Sequence, residues 1–154
     1  MNPIKQAMIY LTELADSKQQ IRNDIVHEEN NIIEHLLKCF LYKNSTGDYN
    51  HWKKEIYSFL NRIPKLRGSN KFPSHNILKK FTIDRFGDVL KDWIPHDIRA
   101  MVVDGYPKIE DYNIEELYNA IIDYYKWLIK ELSSNGKVEN IQVYNKIDEL
   151  TNKF

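Results

Sequence analysis

Arg22-Asn23-Asp24-Ile25-Val26-His27 is the only run in the chain whose residue types and spacing match a reaction. Cutting RNA without a metal needs a group near neutrality in its proton affinity to take and give the ribose and leaving-oxygen protons. It also needs a cation at the crowded phosphate. Histidine has the first property and arginine, through paired donors, the second. His27 is thus the candidate acid or base, Arg22 the phosphate clamp and Asn23 a positioning group. On a helix, residues five apart are rotated by about 500°, so Arg22 and His27 point roughly 140° apart. Convergence requires a helix end or a second copy of the chain.

These residues resemble the Arg-(Asn/Asp)-x-x-x-His motif of the HEPN superfamily of all-helical ribonucleases, over residues 22–28. The resemblance implies a homodimer with two motifs facing each other, and a metal-independent ribonuclease. A second series looks like the bacterial domain-of-unknown-function family numbered twenty-nine, over residues 17–95. It consists of His35-Leu36-Leu37-Lys38, then Trp52 with Ile56, Ile63 and Leu66, then Pro73-Ser74, then Leu90-Lys91-Asp92-Trp93-Ile94-Pro95. That resemblance implies a helical fold and no known activity. Physically, Leu36, Leu37 and Trp52 read as core, Lys38 as surface and His35 as a hydrogen-bonded packing histidine.

Charge is balanced overall but unevenly spread. Residues 51–91 carry ten Lys/Arg against three acids, whereas residues 92–123 carry eight acids against Arg99 and Lys108. Either the two segments neutralise each other on packing, or the first is an anion-binding patch beside an acidic surface. In the second case Lys53, Lys54, Arg62, Arg67, Lys71, Lys79 and Lys80 would guide nucleic acid, with Tyr57 and Phe72 as exposed rings. On one later helix, Tyr118, Tyr125 and Trp127 either form a partner-binding surface or pack under the last helix.

The elements that must hold these groups are helical. Asn2-Pro3 reads as a helix start, followed by Ile4, Ala7, Met8, Leu11, Leu14 and Ala15 at helical spacing. Residues 16–20 are either a short turn or continuous helix. Ile21, Ile25, Ile32, Ile33, Leu36, Leu37, Phe40 and Leu41 form the next apolar face, to about residue 43. Residues 44–48 read as a loop. A helix from about Asn50 follows, ended or kinked by Pro64. A loop over 67–73, a helix capped by Ser74, and a short helix over 84–94 ending at Pro95 come next. Residues 96–112 are either a helix turn or a short strand. Asn113-x-x-Glu116 has capping-box spacing and opens a helix to about Leu132, stopped at Ser133-Ser134-Asn135-Gly136. A last helix carries Val138, Ile141, Tyr144, Ile147 and Leu150. The expected fold is all-α, one irregular bundle of five to seven helices over residues 1–154.

One cysteine, Cys39, precludes an internal disulfide and reads as a small buried hydrophobe. With no basic-then-apolar leader and no 18-residue apolar stretch, the chain reads as cytoplasmic with no membrane partner. His27 and His35 are about 12 Å apart along a helix, too far for one metal, so no metal and no cofactor are expected. The sequence therefore favours a non-enzymatic interaction or regulatory protein, defence-associated, an immunity protein or a mobile-element accessory. Its expected partner is another protein, through the aromatic helix 114–132 or its acidic approach 92–116. RNA binding and HEPN-like cleavage by a homodimer form the alternative.

Overall fold

The computed structural model describes residues 2–66 and 89–154, without the side chains of residues 10, 13–23, 46 and 64–66. These residues form five helices and no strand: α1 (Pro3–Leu41), α2 (Thr46–Leu66), α3 (Leu90–Val103), α4 (Ile114–Asn135) and α5 (Asn140–Thr151). The chain is an all-α bundle, as its periodicity predicts.

Local chemistry sets most helix ends. Asn2 accepts the Ile4 amide hydrogen at 2.8 Å and Pro3 occupies the first helical turn of α1. Asn113 accepts the Glu116 amide hydrogen at 3.2 Å to open α4. Gly136, at φ 71°, closes α4 in the left-handed conformation that glycine adopts without steric cost. Gly105, at φ 103°, closes α3: its amide donates to the Val102 carbonyl at 3.1 Å and that of Tyr106 donates to Met101 at 3.0 Å. This pair of bonds is a Schellman closure.

Residues 16–20 are helix, so α1 runs unbroken for 39 residues. At 1.5 Å per residue it is about 58 Å long. The core is built on its C-terminal half, where Ile25, Ile32, Ile33, Leu36, Leu37 and Phe40 are buried. The short link over residues 42–45 turns the chain back, and α2 packs antiparallel along α1 through Trp52, Ile56, Leu60 and Ile63. Helices α3, α4 and α5 each contact α1 as well, which makes α1 the central element. Phe154 stacks on Phe40 at 5.1 Å, and Lys43 Nζ donates to the Phe154 carbonyl.

Three expectations need correction, and one open alternative is decided. Helix α2 starts at Thr46, inside the expected loop, and continues past Pro64 to Leu66. Pro95 lies inside α3 instead of ending a helix. Its ring removes one hydrogen bond, yet the flanking Ile94 and Ile98 are both buried, and apolar burial of two such side chains stabilises by roughly 3–6 kcal/mol. Of the two readings open for residues 96–112, helix holds over 96–103. On α5 the buried set is Val143, Ile147, Leu150 and Thr151, and Ile141 is exposed. The loop over 67–73, the Ser74-capped helix and the first residues of the 84–94 helix lie outside the described residues.

Candidate functional site

The seam between α1 and α2 brings two of the five histidines together on one carboxylate. Antiparallel packing places Glu28, Asn31 and His35 of α1 beside His51, Glu55, Phe59 and Arg62 of α2. His35 is buried, and its Nδ1 donates to the Asn31 carbonyl at 2.8 Å. A carbonyl only accepts, so Nδ1 carries a hydrogen. The other ring nitrogen, Nε2, lies 2.5 Å from Glu55 Oε2. A bare imidazole lone pair and a carboxylate oxygen repel at that distance, so one proton lies between them. The second oxygen of Glu55, Oε1, accepts from His51 Nε2 at 2.8 Å. Glu55 thus bridges a buried imidazole and an exposed one. The edge of His35 meets the Phe59 ring at 4.9 Å between centroids.

At the far end of the seam Glu28 is 8% exposed, and Arg62 Nη1 lies 3.9 Å from its Oε2. That carboxylate oxygen accepts no hydrogen bond among the described residues. The Arg62 guanidinium also lies over the Phe59 ring at 5.3 Å. The side chain is exposed, so it is a cation available to solvent.

His27 is exposed on α1, with Asn31 Nδ2 3.5 Å from its Nε2. Arg22 and Asn23 lie on the same helix, and their side chains are outside the described residues. Because α1 is unbroken through residues 22–27, no helix end bends the Arg22 and His27 positions together. Only a second copy of the chain would pair them.

The expected cation surface divides. Lys54 and Arg62 are exposed. Lys53 is buried: its Nζ donates to Asp148 Oδ1 at 2.9 Å and sits over the Tyr49 ring at 4.6 Å. It is a strut between α2 and α5, not an anion-binding group. Tyr49 Oη donates to the same Asp148 oxygen at 2.6 Å. Burial alone would raise the Asp148 carboxyl, but the hydrogen bonds from Lys53 and Tyr49 outweigh it and hold the group below its usual range. Arg67, Lys71, Lys79 and Lys80 are outside the described residues.

The aromatic set on α4 is also divided. Tyr125 is 3% exposed and its hydroxyl donates to the Glu29 carbonyl at 3.4 Å, so its ring offers nothing to a partner. Trp127 is partly buried against Tyr124, and Tyr118 lies partly buried under Lys91, whose Nζ is 4.8 Å from the ring centroid. The sequence reading missed the exposed aromatic instead. Trp93 on α3 is 41% exposed, with Val89 exposed one turn earlier. On a helix Trp93 falls about 95° from the centre of the Leu90–Ile94–Ile98 stripe, at its edge, so spacing alone does not mark it as exposed.

Cys39 is fully buried, and burial pushes its thiol up to about 12. Among the described residues no three His, Cys, Asp or Glu side chains converge to hold a metal ion. No described helix is long and apolar enough to cross a membrane. Comparison with protein-family models, with curated proteins and with solved structures finds no match.

Proposed function

We propose that this chain is a non-enzymatic interaction protein whose regulatory, immunity or accessory role is exerted by binding another protein. The observation that supports this reading is the exposed Trp93 indole on α3. Folding already buries Leu90, Ile94, Ile98 and Met101 of that helix, so α3 needs no further apolar group for its own packing. Tryptophan is the residue most enriched where binding energy concentrates, and Val89 extends the apolar contact. Asp92 beside it is exposed. One turn on, Asp97 is pushed up to about 6, first by burial and then by the charge of Glu34. An apolar anchor set among acids suits a partner segment that is apolar and basic.

The test is co-purification from the native source with the intact chain and a Trp93→Asp variant. The substitution is at an exposed position and leaves the melting temperature unchanged. Loss of a stoichiometric protein partner in the variant supports the reading. Retention of the same partner at the same stoichiometry refutes it.

A metal-independent ribonuclease in which Arg22 and His27 of two copies meet is the second reading. It is favoured by the solvent-exposed His27 imidazole with Asn31 beside it. Cleavage of labelled single-stranded RNA in the presence of a chelator, abolished by His27→Ala, would establish it in place of the first.

A further inference from the structure

Asn135-Gly136 is the one asparagine–glycine pair in the chain. It sits where α4 ends, and both residues are exposed. Such a pair carries a reaction of its own. A backbone nitrogen that loses its proton can attack the carboxamide carbon of an asparagine immediately before it. Glycine has no side chain to shield that nitrogen, so it hinders the attack least.

Glycine is required here by the backbone and not by crowding. A Cβ built at Gly136 would meet nothing within 4 Å, but φ is 71°. Closing α4 in the left-handed conformation therefore selects a residue that also leaves its nitrogen open. The same closure pins the reacting groups. The Gly136 amide donates to the Leu132 carbonyl at 2.9 Å. Asn135 Nδ2 donates to Glu131 Oε2 at 2.9 Å, one turn back. Attack needs both bonds to open, because the nitrogen must shed its hydrogen and the carboxamide must swing toward it. Leu132 and Val138, on either side of the turn, are buried, so opening costs more than the fraying of a free helix end. Residues 133–137 are all exposed, so opening lifts no side chain out of the core.

We infer that Asn135 is a modification site, converted spontaneously to aspartate and isoaspartate at a rate set by the opening of the last turn of α4. The Gly136 nitrogen bonds to Asn135 Cγ, the Cγ–Nδ2 bond breaks, and Nδ2 leaves as ammonia with the proton that Gly136 gave up. Water then opens the cyclic imide. Addition at the side-chain carbonyl gives aspartate. Addition at the main-chain carbonyl gives isoaspartate, with one extra backbone carbon. Either product puts a negative charge near Glu131 and at the negative end of α4. Neither keeps the donor that held Glu131. The modified turn closes less well, and the link to α5 loosens. This site is separate from Trp93, and the inference does not depend on the function proposed above.

Timed incubation of the intact chain in mildly alkaline buffer tests it. Trypsin releases the Glu131–Lys137 peptide, whose mass reports conversion and whose aspartyl and isoaspartyl forms separate by chromatography. A synthetic peptide of the same residues gives the unprotected rate. The folded chain should convert on the order of tenfold more slowly than the peptide. It should still convert faster than its globally unfolded fraction, obtained from urea unfolding, allows. Glu131→Ala removes the tether and should speed conversion about threefold, whereas Glu131→Gln keeps an acceptor oxygen and should not. Asn135→Asp, which reproduces one product, should raise the unfolding equilibrium constant about threefold. Equal rates in chain and peptide overturn the inference. So does conversion no faster than global unfolding permits, and so does a Glu131→Gln variant as fast as Glu131→Ala. An Asn135→Asp chain as stable as its parent overturns the effect on α4.

Discussion

Glu55 of α2 reaches across to His35 of α1 with 2.5 Å between Oε2 and Nε2, while its other oxygen holds His51 on its own helix. One carboxylate therefore fixes the register of the α1–α2 hairpin through a buried ring. The two contacts are unequal, because His35 is buried and His51 is exposed.

Glu55→Ala should lower the unfolding free energy by about 1.5–3 kcal/mol, since a charge-assisted bond is lost and a buried imidazole nitrogen is left unpaired. His51→Ala should cost about 0.5 kcal/mol or less, in line with an exposed i,i+4 pair. Urea unfolding of both variants checks the ratio. Equal losses would show that the buried contact has no special weight.

Asp97→Asn should stabilise the chain at neutral pH. The folded carboxyl titrates at about 6, above its ordinary value of 3.8, because burial and Glu34 disfavour its charge. The folded state therefore holds the proton more tightly than the unfolded state. Ionisation weakens folding as pH rises through 6, and the penalty is absent below about pH 4. Allowing for solvent screening, the gain should be on the order of 1 kcal/mol at pH 7.5 and vanish toward pH 4. Unfolding curves at both pH values measure it.

Asp148→Asn should show the opposite dependence. The folded carboxyl is held below its usual range, so its contribution is complete above about pH 5 and fades as pH falls through and below the ordinary carboxylate range. The substitution should cost about 1–2 kcal/mol at pH 7, because the buried Lys53 ammonium keeps an amide oxygen but loses its counter-charge. The cost should shrink steadily toward pH 2–3. A cost independent of pH would mean that packing, not charge, is what was removed.

Cys39 should resist thiol reagents in the folded protein at pH 8, because burial both excludes the reagent and pushes the thiol up to about 12. Its labelling rate should follow the population of unfolded chain across a urea series. Rapid labelling in the absence of urea would refute this.

How much of this was legible in the sequence depended on whether the cause was local. Helix α4 was, because Asn113, the apolar period and Gly136 mark its start, body and end within one segment. The core face of α1 was also legible from its spacing. Pro95 reads as a stop, but burial of Ile94 and Ile98 outweighs one lost hydrogen bond, and that burial depends on other helices. Tyr125 sits seven residues from Tyr118 and seemed to share an outer face, yet α4 is covered by α1, α3 and α5 on a wide arc. Lys53 looked like one cation among many, and only the arrival of Asp148 from α5 makes it a strut. The His35–Glu55 contact needed the antiparallel register itself, which no local pattern encodes.

The length of α1 gives it two thermodynamic regimes. Around residues 25–40 its amides are shielded by three or more neighbouring helices and should exchange with solvent hydrogen only on global unfolding. Over residues 3–12, among the described residues, the same helix has little but its own backbone to hold it, and an isolated stretch of that length is marginal in water. Deuterium uptake should therefore rise steeply toward the N-terminal end of one continuous rod, and the slope of that gradient reports how much of the rod is clamped.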